Sequence, residues 1–400
     1  MNKENIEEIT LLRALAFLAI ATQHTIGEFI YRPDIHQPDA VMLAMLFHMT
    51  RFGTPAFVFM AGALLFYRAS EGRSYGSFLS KRAGDILVPF LAWTAIYWAT
   101  AMMYAGRSLA EPAAWLDLAR QLIEPTYGYH LWFILMIFQF YLLFPLLRKA
   151  AEPLRRFATR RPGREAVRTA WLLTAAGALY LALVYYSYWH AGAFAAAVGG
   201  AWEWAMAHRT MWFVFYFFYF LLGAVCAMAL HRFREAAVSL LPVSLFAFAA
   251  CYIWAGYALL DASMETMKLG ASTYLRPVIF LLALSQLAAG FGVTVLVVRR
   301  GGWLKRALLA VGRLSFGAFL AHPLVLTGVA FLTRPLDLGG YHLPVAVASS
   351  AVVAAGALLI ARLAGRLPFG WLLVGAQGRR RPRRGAAGVP AANGGTSAGM

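Results

Sequence analysis

The sequence predicts an all-α integral membrane protein of about ten transmembrane helices, with N- and C-termini cytoplasmic. Three observations support this. Of the 400 residues, 61% are hydrophobic and 14% charged, and the mean hydropathy is +0.62, whereas soluble domains are roughly half apolar and a quarter charged. Apolar runs of about 20 residues recur, each long enough to cross roughly 30 Å of hydrocarbon as a helix, and the ten-residue alternation of a membrane β-barrel is missing. Lys and Arg are also divided unevenly between alternate loops.

In chain order the runs place helices at 9–30, 42–66, 84–105, 130–147, 171–190, 210–230, 239–260, 276–298, 307–331 and 343–361. The first is not a cleavable signal: Glu4, Glu7 and Glu8 outnumber Lys3 ahead of it and Arg13 interrupts its apolar core, so it is expected to be retained. With the N-terminus inside, 26 of the 36 Lys and Arg fall on inner segments. Eight fall on outer ones: Arg32, Arg51, Arg107, Arg120, Arg209, Lys268, Arg276 and Arg334; Arg13 and Arg313 lie within or at the edge of spans. This is the positive-inside pattern, and an odd number of helices would scramble it. The net charge of +18 then reads as a membrane-orienting signal in contact with inner-leaflet membrane lipid, and needs no nucleic acid to explain it.

Residues 1–375 form one membrane domain, and 376–400, rich in Gly, Ala and Arg, are expected to be a disordered basic cytoplasmic tail. Cys226 and Cys251 lie in apolar spans, where cysteine acts as a small hydrophobe. The tyrosines and tryptophans of "YLALVYYSYWH" and "WEWAMAHRTMWFVFYFFYF" read as an interfacial belt before a sugar-stacking surface.

The chemistry concentrates in the first helix. Arg13 and His24 are eleven residues apart, which returns to within roughly 20° of the same face about 16 Å further along. Glu28, one turn beyond, falls on nearly the same stripe, within reach of the imidazole. An intramembrane Arg costs on the order of 3 kcal/mol on insertion scales, so a row of Arg, His and Glu marks a polar pathway or cavity. Histidine can take and return a proton near neutral pH, and Glu28 could fix its tautomer. No His/Asp/Glu cluster has metal-ligand spacing.

The spacing of Arg13 and His24, followed in order by "RFGTPAFVFMAGALLF" (51–66), "SFLSKRAGDILVPFLAW", "GYHLWFILMIFQFYLLFPLL" and "GRLSFGAFLAHPLVL" (312–326), resembles acyltransferase family 3. These are integral membrane enzymes that pass acyl groups from cytoplasmic acyl-CoA to extracytoplasmic sugars and related acceptors. The resemblance covers the membrane domain and implies no permanently bound cofactor, acyl-CoA (acetyl-CoA expected) as co-substrate, a glycan or glycolipid acceptor, and polysaccharide-synthesis proteins as candidate partners. It implies the cell inner (plasma) membrane, multi-pass, as location. Two departures stand out. Ala61 replaces the serine usual before Gly62, so no hydroxyl role carries over, and of the two arginines associated with acyl-CoA only Arg82 is present, Asp85 occupying the second place.

The expected catalytic residues are therefore His24 as general base, Arg13 and Glu28. Arg82 and Lys81 are expected to bind the donor phosphates. His322, ahead of Pro323, and His130 and Trp132, at the outer start of the fourth helix, are candidate acceptor or pocket residues, each with a packing or anchoring role as the alternative. The competing class is a transporter or flippase that uses the Arg/His/Glu stripe as a substrate or proton path; a non-catalytic lipid-binding scaffold is the third.

Overall fold

The computed structural model describes residues 6–68, 74–263 and 267–378, so most of the expected basic tail lies outside the described residues. The chain forms α1 (Glu7–Phe29), α2 (Gln37–Met49), α3 (Gly53–Arg68), α4 (Tyr75–Tyr104), α5 (Pro112–Gln121), α6 (Trp132–Thr159), α7 (Glu165–Trp189) and α8 (Ala191–Val198). These are followed by α9 (Gly200–Ala207), α10 (Phe217–Met228), α11 (Leu230–Ser239), α12 (Leu241–Ala262), α13 (Pro277–Arg300), α14 (Gly302–Thr333), α15 (His342–Ala364) and α16 (Trp371–Val374), with no strand among the described residues. Proline opens α2, α5, α12 and α13 at the first or second position, where a missing N–H costs nothing.

Among the described residues nine helical segments are long and apolar enough to cross a membrane, or ten if the bent pair Phe213–Met228 and Leu230–Ser239, which overlaps the sixth expected span, 210–230, counts as one span. Short three-ten turns at Arg209–Met211 and Phe213–Tyr216 lead into α10, which meets α11 at 112°. Large apolar side chains such as Leu179 on α7 and Phe246, Ile253 and Tyr257 on α12 are exposed. Water would not tolerate that surface; lipid does.

The expected span 42–66 is broken rather than continuous. Pro55 has no N–H for the Arg51 carbonyl one turn earlier, and its ring crowds it, so α2 stops at Met49 and α3 restarts at Gly53. The loose end is secured from α13: the Gln286 amide donates to the carbonyls of His48 (2.9 Å) and Met49 (3.3 Å), and the Thr50 hydroxyl donates to Phe47 O (2.7 Å). Arg51, sorted above with the outer-loop charges, therefore lies buried inside the bundle at this break.

Beyond the break α3 packs against α10 backbone to backbone. A Cβ on Gly62 would overlap the Phe220 carbonyl, and one on Gly223 would overlap the Phe59 carbonyl. Small residues let membrane helices approach this closely, gaining dispersion where no hydrophobic drive exists between helices. Buried aromatics fill the space alongside, including Phe140 stacked on Phe220 with centroids 4.4 Å apart.

Helix α1 packs against α3, α13, α14 and α15. It runs parallel to α14, and three contacts fix their register. Glu7 pairs with Lys305 (2.7 Å) at one end and Glu28 with Arg334 (2.6 Å) at the other, while Gly312 sits so close to Thr10 that a Cβ would overlap its carbonyl. This register brings His24 of α1 level with His322 of α14.

Candidate active site

Because α1 and α14 are locked in parallel, His24 meets His322, with ring centroids 5.2 Å apart. Pro323 follows His322 and offers no N–H to the Phe319 carbonyl, its ordinary partner four residues back. The His322 ring takes over, Nδ1 lying 2.6 Å from Phe319 O. A carbonyl only accepts, so Nδ1 carries the hydrogen and, in the neutral ring, Nε2 keeps the lone pair. The ring is fully buried, and Nε2 has no hydrogen-bond partner among the described residues. Pro323 thus sets the tautomer of the histidine beside it.

A third imidazole comes from the turn before α6. His130 is buried and lies 5.0 Å from His322 and 5.2 Å from Phe319 between centroids. Tyr97 of α4 stands edge-on to it at 5.5 Å and anchors its own hydroxyl on Leu320 O at 2.6 Å. His24 is covered from the other side by Tyr129, 4.9 Å away and 41% exposed, so one ring separates it from the outside of the bundle. Among the described residues no group of three or more His, Cys, Asp or Glu could hold a metal ion.

On the neighbouring face of α1, Gln23 accepts from the Tyr274 hydroxyl (3.3 Å). The Tyr274 ring carries the Arg51 guanidinium 3.6 Å above its centroid, with Phe47 5.0 Å away. Tyr274 also neighbours Tyr216 (6.3 Å), and Tyr216 neighbours Trp132 (6.1 Å), two residues from His130. Ring contacts therefore join His24 to Tyr129 and Tyr129 to His130 on one side, and Trp132 through Tyr216 to Tyr274, whose hydroxyl reaches Gln23, on the other.

The structure gathers His24, His130 and His322, sets Trp132 against Tyr216 instead, and leaves the other expected residues apart. Glu28 does not serve His24: its carboxylate is held bidentately by Arg334 at 2.6 and 2.9 Å, since a paired guanidinium binds a carboxylate better than a neutral imidazole does. Arg13 is half-buried toward the other end of α1. Lys81 is exposed and Arg82 lies between the rings of Phe78 (5.6 Å) and Tyr141 (5.4 Å). Both are on α4 itself, which starts at Tyr75 rather than at 84, and about 22 Å along it from Tyr97. Asp85 is buried, with its carbonyl packed against Gly375, whose φ of 61° and lack of Cβ that contact requires.

Sequence reasoning missed Arg51, Tyr97, Tyr129, Tyr216 and Tyr274. Arg51 was within reach, since it lies in the middle of an apolar run, as Arg13 does; the tyrosines carried no such mark.

At the Glu28 end a cleft of about 580 Å³ is lined by Gly27, Glu28, Tyr31, Arg32, Asp34 and Arg334, among others. Arg32 donates to Asp34 (3.2 Å) and to Thr333 O (3.0 Å), stitching the α1–α2 loop to the end of α14. Desolvation would raise the Asp34 carboxyl, but the Leu338 N–H, Arg32 and His342 outweigh it and hold the carboxyl down at about 2. The cleft is charged at its walls and lies one helical turn from His24.

Comparison with curated proteins and with solved structures gives no match. The family model described as an acyltransferase domain matches residues 6–362, almost the whole described chain, and the protein belongs to acyltransferase family 3.

Proposed function

We propose that this membrane acyltransferase moves an acyl group, acetyl in the simplest case, from cytoplasmic acyl-CoA to a hydroxyl of an extracytoplasmic sugar or related acceptor, with His24 as general base. The observation that carries the reading is the meeting of His24, His130 and His322 from three separate elements, 5.0–5.2 Å apart between neighbouring rings, in a chain of an acyltransferase family.

In this reading the protein sits in the inner (plasma) membrane with the Lys81/Arg82 end inside. Lys81, Arg82 and Arg13 attract the phosphates of the donor, and the acyl arm extends along the face that joins Arg13 to His24. The acceptor enters from the charged cleft past Tyr129, with Glu28, Arg334, His130 and Trp132 along its way. Its hydroxyl oxygen attacks the thioester carbon as His24 removes the hydroxyl proton, and the carbonyl pair moves onto oxygen. When that pair returns, the C–S bond breaks, and the thiolate takes the proton from His24 to leave as CoA thiol. His322 is a positioning residue: its Nε2 lone pair has no partner at rest among the described residues and lies on a ring beside that of His24, so that in the reaction it accepts from one nitrogen of His24 and leaves the other free as base, the role a carboxylate plays in a catalytic triad.

The test is acyl transfer by the purified protein, followed by CoA thiol release and by mass spectrometry of envelope glycans and lipids for the added acyl mass. His24→Ala should abolish transfer with an unchanged melting profile, and Arg82→Ala should raise KM for acyl-CoA while sparing KM for the acceptor. Full transfer by His24→Ala would refute the base; movement of a substrate with no CoA released would establish the transporter class instead.

A further inference from the structure

We propose that Arg51 stabilises the oxyanion formed during the transfer, with the hydroxyls of Tyr216 and Tyr219 as supporting donors. The proposal rests on the acyl-transfer reading and adds to it the group that carries the developing charge.

Arg51 is 4% exposed, and among the described residues no carboxylate pairs with it. Burying a cation without a counter-charge is costly, and a membrane interior heightens that cost. The protein offsets part of it with aromatic faces, Tyr274 at 3.6 Å and Phe47 at 5.0 Å, which attract a guanidinium without neutralising it. Its Nε has no hydrogen-bond partner among the described residues, and the same holds for the hydroxyls of Tyr216 and Tyr219, both essentially fully buried. Three buried donors without acceptors, one of them charged, suit a ligand that brings negative charge.

Position decides which ligand. Tyr274 joins Arg51 to Gln23, the residue before His24, so guanidinium and imidazole occupy adjacent faces of α1 at one depth. The phosphate-binding candidates Lys81 and Arg82 lie far along α4, so the anion at Arg51 is one that forms where His24 acts. During attack the thioester oxygen turns from a weak, neutral acceptor into an anion, and returns to neutral when the C–S bond breaks. A cation with no resting counter-charge binds that state far better than substrate or product, which is how catalysis rather than affinity is gained. The broken helix fixes the geometry, since Gln286 and Thr50 secure its end and Tyr274 supports the guanidinium from below.

The experiment compares wild type, Arg51→Met and the double variant Tyr216→Phe/Tyr219→Phe in detergent, measuring kcat, both KM values and binding of acetonyl-CoA, a donor analogue with a neutral ketone. Arg51→Met should lower kcat by about 10²–10³-fold, with both KM values and analogue affinity within a few-fold of wild type. The double variant removes only hydroxyls without partners, so it should melt like wild type and lose about tenfold in kcat. Wild-type kcat in Arg51→Met refutes the proposal. So does loss of analogue binding in step with kcat, which marks a structural strut; if Arg51→Met fails to fold, wild-type kcat in the double variant refutes it. If the wild-type protein itself releases no CoA to an acceptor, the underlying reading fails, a result distinct from all of these.

Discussion

Replacing His322 by Asn and by Ala separates what its two ring nitrogens do. Nδ1 satisfies the Phe319 carbonyl that Pro323 leaves without a donor, and the amide of Asn can occupy nearly the same position and donate in its place. Ala cannot, and an unpaired buried carbonyl costs about 1–3 kcal/mol. Both substitutions remove the lone pair at Nε2, which in the proposed reaction orients His24. Losing such an orienting acceptor costs about 10²–10⁴ in kcat. His322→Asn is therefore expected to melt close to wild type and lose activity, while His322→Ala loses the same activity and about 1–3 kcal/mol of stability as well. Intrinsic fluorescence during heating reads the first quantity and CoA thiol release the second. A pH series adds a readout that packing does not move: the acid limb of kcat/KM should shift in both variants, because the group next to the base has changed. Wild-type kcat in His322→Asn would end the positioning role, and equal stability of the two variants would end the account of the Phe319 carbonyl.

Two further outcomes follow from the fold. Gly62→Ala should cost more than the about 1–3 kcal/mol typical of overpacking, because its Cβ would meet the Phe220 carbonyl, part of a helix backbone that cannot swing aside. Gly328→Ala, with open space around its Cβ site, should be neutral or slightly stabilising; equal melting of the two proteins would count against the α3–α10 contact. At the cleft, Asp34 titrates at about 2 against its ordinary 3.8. A carboxyl depressed by folding contributes stability that is complete above its unfolded value and disappears as pH falls through the folded one. The Arg32–Asp34 seam should thus hold down to about pH 4 and loosen toward pH 2, and Asp34→Asn should remove that pH dependence from hydrogen exchange in the 31–36 loop; an unchanged profile would refute the pairing.

Parts of this architecture were legible in the sequence because membrane crossing is a local property. A run of about 20 apolar residues crosses whatever its neighbours are, since its backbone bonds close within the helix. The Arg13–His24 face was legible for the same reason, depending only on 3.6 residues per turn. Partners on other helices were not. His24 meets His322 because Glu7–Lys305, Glu28–Arg334 and the Gly312–Thr10 approach set one helix against another, and no local period encodes that register. Glu28 shows how local reasoning fails: its spacing allowed the imidazole, but Arg334 arrives from 306 residues away with two charged donors.

Arg51 is the more instructive case, because two local rules conflicted over it. Sorting charges by loop assumes that a charge interrupting an apolar run marks a membrane edge, while the cost of burying an ion makes an intramembrane Arg a site residue. Pro55 decides between them. A proline four residues after the Arg removes the helical bond at the Arg's own carbonyl, so the run breaks there and resumes. The two segments remain one span, Gln37–Tyr67. The charge thus sits at an interior break, where freed backbone groups and a buried side chain both need polar partners: Gln286 and Thr50 supply those of the backbone. The guanidinium is left with aromatic faces and the acceptor that the reaction itself creates.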